Sequence, residues 1–189
     1  MQRLLWLIVP FLWISCGDMN PLEGEYEVVG IEMEGRGKPS DLMAGKKAAA
    51  LIYLSPECPL CRNYTVTIKK IMKEYSDQDV AFLGVVSGDF FSESEVKAYL
   101  LKYDMNLPVF MDPEFLIARR YGAEITPEVH LILPEGDLLY KGAIDNWAIS
   151  LGQKRQSATR HYLADAIAAH LAGLPIDPLQ TEAVGCYIE

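Results

Sequence analysis

Ala48-Ala49-Ala50-Leu51-Ile52-Tyr53-Leu54-Ser55-Pro56-Glu57-Cys58-Pro59-Leu60-Cys61 is the stretch whose reading decides the fold. Residues 48 to 54 form a short, almost wholly apolar run with breakers on both sides, which suits a central strand buried on both faces. Pro59 falls where the first turn of a helix tolerates a residue without an amide hydrogen. Tyr64 to Tyr75 then carries Ile68, Ile71, Met72 and Tyr75 at helical spacing. A C-x-x-C pair thus sits at the start of a helix that follows a buried strand. Unpaired amides and the positive end of the helix dipole favour a thiolate there. Cys61, one turn on, is close enough to close a disulfide with Cys58 or to attack a mixed one. Cys58 is therefore expected to be the attacking nucleophile and Cys61 the resolving thiol, with no cofactor beyond their own disulfide. A zinc site usually needs four ligands, and the chain has no second C-x-x-C and no paired histidine motif, so no metal is expected.

Outward from this centre, strands and helices alternate. Tyr26 to Met33 reads as an early strand, and Gly35 to Pro39 as a turn. Val80 to Val86 is a second buried strand. Ser92-Glu93-Ser94-Glu95 has the pattern of a helix start, with Val96, Tyr99, Leu100 and Tyr103 following on one face. Leu107 to Met111 is a short strand, and Glu114 to Tyr121 a helix closed by Gly122. Val129 to Leu133 and Leu138 to Lys141 flank Pro134-Glu135-Gly136-Asp137, a hairpin signature. Thr159 to Leu171 is the last helix, with Thr159 a candidate N-cap. This order indicates an α/β fold: a central mixed sheet flanked by helices, with a hairpin and a helix near the C-terminal end.

The whole chain of 189 residues is half hydrophobic, 23% charged and carries a formal net charge of -9. That composition suits one globular domain with a proper core. Its acidity opposes phosphate backbones, so nucleic acid is not expected as a partner. The N-terminus begins Met1-Gln2-Arg3 and runs apolar from Leu4 to Ile14. This is well short of the roughly 20 residues of a spanning helix and has the proportions of a signal-peptide core. Ser15-Cys16 followed by the polar Gly17-Asp18 resembles a bacterial lipoprotein signal, in which Cys16 would be lipidated after cleavage. An ordinary cleaved signal, or an uncleaved anchor, with an incidental cysteine is the other reading. The chain divides into a signal segment at 1–16, a linker at 17–25, a domain at 26–172 and a tail at 173–189. Export would place the thiols where disulfides form, with the protein anchored by lipid and facing the periplasm or cell envelope.

Ser55-Pro56-Glu57-Cys58-Pro59-Leu60-Cys61, with the later Ile125-Thr126-Pro127-Glu128-Val129, resembles the thioredoxin superfamily over roughly Tyr26 to Ala172. Within it the match is to exported redoxin and TlpA/ResA-like thiol–disulfide oxidoreductases. The resemblance implies a thioredoxin-like fold with an extra βα insertion between the cysteine pair and Pro127. It implies that Pro127 is cis and packs against the disulfide, and that the backbone of Thr126 binds the substrate strand. It also implies cysteine-containing protein substrates and an upstream redox partner. Two positions depart from the pattern. Glu57 stands where thioredoxins usually carry tryptophan, and Ile52 where a buried acid is often found, which leaves the proton acceptor for Cys61 unassigned.

Other readings compete. Ser55, three residues before Cys58, mimics a peroxiredoxin, although Leu51 replaces the proline usual there. An SCO-like copper chaperone or sensor would use Cys58, Cys61 and His161, although SCO proteins space their cysteines by three residues. Cys186 is either a third redox thiol or a spare cysteine on the tail. The polar loop from Asp145 to His161 either covers the site or caps the last helix. His130 reads as a packed or edge histidine.

Overall fold

A computed structural model describes residues 20–188. The signal segment and Cys16 lie outside the described residues. Pro21–Glu23 forms a 3₁₀ turn, started by Asn20, whose side chain accepts from the Leu22 amide. Leu22 is buried, so this part of the segment read as a linker packs onto the domain.

The elements run β1 (Tyr26–Val29), β2 (Glu34–Gly37), α1 (Pro39–Met43), β3 (Ala48–Tyr53), α2 (Pro59–Tyr75), β4 (Val80–Ser87) and α3 (Glu93–Tyr103). They continue with β5 (Val109–Asp112), α4 (Leu116–Tyr121), β6 (Ile125–Thr126), β7 (Glu128–Ile132), β8 (Leu138–Gly142), β9 (Ala148–Ser150), β10 (Gln153–Lys154), α5 (Tyr162–Leu171) and β11 (Cys186–Tyr187). Seven strands form one sheet in the order β2-β1-β5-β4-β3-β7-β8. The three central strands β3, β4 and β5 are parallel, and the outer ones are antiparallel to their neighbours. The sheet is mixed, as the element order implied.

The run that opened the sequence reading becomes β3, with all six residues buried. Its period of two is visible in the packing. Ala48, Ala50, Ile52 and Leu54 enter one cluster with residues of α2, α3 and α5. Ala49, Leu51 and Tyr53 enter the other, against α1 and α4. A strand covered on both faces has no solvent side on which to place a polar residue, hence the unbroken apolar run.

Several boundaries differ from expectation. The early strand stops at Val29, and Glu34–Gly37, which takes in the start of the turn read at Gly35 to Pro39, pairs with it as β2. This is an edge strand that glycine-rich sequence does not announce: its order comes from the ladder to β1 and from Arg36, which bonds Glu27 at 2.9 Å. Helix α4 begins at Leu116 because the Asp112 carboxylate accepts from the amides of Leu116, Ile117 and Ala118 at 2.7, 3.2 and 3.1 Å. It supplies at the helix start the acceptors that the N-cap Phe115 lacks. Helix α5 begins at Tyr162, not near Thr159. The amides of Thr159 and Arg160 are both held by the Asn146 side chain, at 2.8 and 3.1 Å, so Thr159 closes the preceding loop instead of capping the helix. The Ser92 start is a full capping box with Glu95, as its sequence indicated.

The tail from 173 onward turns back along the sheet edge. Lys141 donates its amide to Leu179 O at 3.1 Å and accepts from the Thr181 amide at 3.0 Å. The Thr181 hydroxyl bonds Tyr140 at 2.6 Å and accepts from the Ala143 amide at 3.0 Å. A Cβ on Gly142, whose φ is +136°, would lie 2.2 Å from Thr181 O, so only glycine lets the tail pass here. Beyond that strap the chain crosses to β6, where it pairs as β11.

Candidate active site

Cys58 is the N-cap of α2, with Pro59 in the first turn. Its amide donates to Ser55 O at 3.1 Å, closing the turn that leads out of β3. Arg62 Nε donates to Pro56 O at 2.9 Å and fixes the same turn from outside. Cys61 faces inward from the first helical turn and accepts from the Ser55 amide at 3.4 Å. Behind it, the Tyr99 hydroxyl of α3 donates to Cys61 O at 3.2 Å, which ties the two helices together at the site. Cys58 is 2% exposed and Cys61 fully buried. Glu57, the departure beside the pair, points to solvent.

The two thiols are driven apart in acidity. Cys58 is held far below the ordinary thiol range, at about 4, chiefly by the hydrogen bond from the Cys61 side chain. Burial works against this, and the Cys61 amide and the Cys186 side chain add to the lowering. Cys61 is pushed well above the ordinary range, first by burial and then by the negative charge developing on Cys58. One proton is thus shared unequally: Cys58 gives it up and Cys61 keeps it. Ile52 packs in the same cluster as Cys61.

Across from the pair, the Thr126–Pro127 peptide is cis. Both residues are buried, and Cys58 Sγ lies 3.1 Å from Thr126 O. The four residues singled out in the sequence as Cys58, Cys61, Thr126 and Pro127 therefore meet at one end of the sheet. Cys186 joins them. Strand β11 pairs antiparallel with β6 in the register Cys186↔Thr126, and Cys186 packs against the cluster that holds Cys58.

Sequence reasoning missed two supports of the site. The first is Glu128, next after the cis-proline. Its Oε2 accepts from the amides of Glu124 and Ile125 at 3.1 and 3.3 Å, and its Oε1 lies 2.8 Å from His130 Nε2. The pair is buried on the α1/α4 side of the sheet, away from Cys61, so Glu128 is not the missing proton acceptor. It shapes the loop that presents Thr126. Burial lowers the His130 pKa, which favours the neutral ring donating from Nε2 to the carboxylate. Glu128→Ala would strand these donors in the interior. It is expected to cost about 3 kcal/mol, read by denaturant unfolding, and to slow Cys58 chemistry through a displaced Thr126.

The second is Tyr64, one turn after Cys61. Its hydroxyl donates to Asp145 Oδ1 at 2.8 Å and accepts from the Ala148 amide at 3.3 Å. Asp145 also accepts from the Trp147 amide at 2.8 Å, and the Trp147 ring meets Tyr64 edge-on at 5.4 Å. The loop from 145 to 161 is therefore fastened to the cysteine helix. His161 precedes α5 and lines the cleft between α2 and α5. Among the described residues no three His, Cys, Asp or Glu side chains form a metal-holding group.

A mixed sheet flanked by helices, a C-x-x-C at a helix N-terminus and a facing cis-proline together define a thioredoxin-fold dithiol protein. The chain belongs to the AhpC/TSA family, whose model matches residues 27–141. Solved structures agree on the fold. An uncharacterised conserved protein from Geobacillus kaustophilus superposes with a TM-score of 0.74 at 18% identity, covering 89% of each chain. A hypothetical protein from Sinorhizobium meliloti gives 0.74 at 23% identity, over 88% of this chain and 91% of that one. The exposed lipoprotein thioredoxin of Streptococcus pneumoniae gives 0.53 at 25% identity, over 80% of this chain and 100% of that one. No curated protein matches the sequence.

Proposed function

We propose that the protein is an extracytoplasmic thiol–disulfide oxidoreductase that exchanges disulfides with cysteine-containing proteins. The observation that carries this reading is the placement of Cys58 and Cys61 at the start of α2, with Cys58 Sγ 3.1 Å from the carbonyl of the cis Thr126–Pro127 peptide. The Cys58 thiolate attacks a substrate disulfide, forming a mixed disulfide and expelling one substrate thiolate. Cys61 then gives up its proton and attacks the Cys58 sulfur, releasing the second substrate sulfur as a thiol. The protein is left with a Cys58–Cys61 disulfide and the substrate with two thiols, and the reverse sequence oxidises a substrate dithiol. No cofactor enters. Thr126 and Pro127 form the wall against which a substrate strand pairs. Beside Cys58, a groove lined by Phe90, Phe91, Tyr187 and Ile188 offers apolar surface to a polypeptide. Phe90 is 65% exposed.

The location rests on the first sixteen residues and their Cys16, supported by the pneumococcal relative being an exposed lipoprotein. Among the described residues no helix is long and apolar enough to cross a membrane. The Ser15-Cys16-Gly17 sequence supports attachment through lipid on Cys16.

The deciding experiment is a redox titration of the full chain in glutathione buffers with mass-spectrometric mapping of every thiol. The expected result is a reversible two-electron couple centred on Cys58, with catalysed reduction of a protein disulfide such as insulin. Absence of cycling combined with tight binding of one copper ion would overturn the reading in favour of a copper chaperone. Rapid peroxide turnover without protein disulfide exchange would overturn it in favour of a peroxidase.

A further inference from the structure

The nucleophile of the proposed exchange is 2% exposed. What covers it is the chain's own C-terminal strand. Strand β11 lies antiparallel to β6 with Cys186 opposite Thr126, the place where the dithiol reading seats a substrate strand. The Thr126 hydroxyl donates to Cys186 O at 3.4 Å, and the Ile188 amide donates to Glu124 O at 2.9 Å, so the strand is held on both sides of the cysteine. Val184 and Cys186 pack against the cluster that contains Cys58 and Cys61. Gly185 makes the approach possible: a Cβ there would stand 1.9 Å from Thr126 O, inside the backbone of β6. Cys186 is itself half-buried, the most accessible of the three thiols among the described residues.

We propose that Cys186 is a third redox thiol, exchanging with Cys58 from a tethered strand that occupies the substrate position. The inference rests on the dithiol reading and deepens it. Starting from the Cys58–Cys61 disulfide, the Cys186 sulfur attacks the Cys58 sulfur. The bond from Cys58 to Cys61 breaks and one from Cys58 to Cys186 forms. The electron pair leaves on Cys61, which takes up the proton that Cys186 surrendered. The number of disulfides is unchanged, so no external oxidant or reductant is consumed. In the reduced state the Cys186 thiol is pushed up to about 11, by burial first, then by hydrogen bonding to the Cys58 thiolate as acceptor and by its charge. Oxidation of Cys58 removes that charge and that acceptor, freeing Cys186 to act as a nucleophile. The result moves the disulfide from a buried pair to one with a sulfur at the surface, where an incoming thiol reaches it.

The test uses Cys61→Ala in the full chain, treated with oxidised glutathione and mapped by non-reducing peptide mass spectrometry. The glutathione thiol leaves Cys58 as Cys186 attacks, so the expected product is a Cys58–Cys186 linked peptide. A lasting Cys58–glutathione adduct with Cys186 free would overturn the proposal. Gly185→Ala in the same background keeps the thiol but blocks its docking. It is expected to lower the Cys58–Cys186 yield by about tenfold or more, since the effective concentration of the tethered thiol is lost. An unchanged yield would overturn the assignment of the docked strand. Wild-type protein supplies a check that needs no substitution: the Cys58–Cys186 form is expected as a measurable fraction beside Cys58–Cys61. If only Cys58–Cys61 appears at every potential, the third thiol is refuted while the dithiol reading stands. If Cys58 enters no disulfide at all, both fail.

Discussion

Cys58→Ser is expected to reduce protein disulfide exchange to the uncatalysed rate, a loss of about a thousandfold or more. A serine hydroxyl at this position stays protonated throughout the physiological range, so the hydrogen bonds that hold the Cys58 thiolate have no anion to stabilise. The turn into α2 is built by backbone contacts of Ser55, Pro56 and Cys58 itself, which the substitution leaves in place. Loss of activity with an unchanged unfolding midpoint therefore assigns the chemistry to the sulfur. Turbidity from insulin reduction, followed beside circular dichroism, separates the two. Retained exchange in the folded variant would move the nucleophile to Cys61 or Cys186.

Cys61→Ala is expected to have two large effects. The first is electrostatic. The Cys61 side chain is the largest contributor to the lowered pKa of Cys58. Its removal is expected to move the Cys58 titration upward from about 4, visible in thiolate absorbance and in the pH profile of alkylation. The second is chemical. Without the resolving thiol, a mixed disulfide at Cys58 cannot be released by Cys61. Covalent complexes with substrate proteins are expected to accumulate in Cys61→Ala/Cys186→Ala, where neither internal thiol remains. Failure of the double variant to trap any protein disulfide would sink the exchange reading.

The pH dependence has a definite sign. A thiol whose folded pKa is lowered favours the folded, reduced state fully above the ordinary thiol value of 9.0, and loses that contribution as pH falls toward about 4. Cys61 acts oppositely: its raised pKa costs stability once pH rises above the ordinary thiol value. The reduced protein gains stability from this pair as pH rises between those two limits.

The cysteine centre was legible because its signals are local. A seven-residue apolar run, a proline in the first helical turn and two cysteines one turn apart lie within a single stretch. Each reports a constraint that neighbouring residues impose on one another. The Ser92 capping box is local in the same sense. The β2 edge strand was not legible, because four residues with two glycines take their order from the strand they pair with. His130 was legible as a packed histidine, but its pairing with Glu128 was hidden for a related reason. Alternation along β7 places them on one face, but burial on that face depends on α1 and α4 packing over it.

The buried strand running into Cys58-Pro59-Leu60-Cys61 was determined by the sequence itself, through hydrophobic period and backbone stereochemistry, while Thr126-Pro127 was marked by the resemblance to the thioredoxin superfamily. What the pair faces was decided only by the tertiary structure. The strap of the tail on β8 at Thr181 and its crossing over Thr126 at Gly185 bring Cys186 onto Cys58. A contact of this kind depends on the closure of a long segment of chain over a finished sheet. No periodicity within the segment encodes it, because the groups that hold the tail belong to strands formed elsewhere in the sequence.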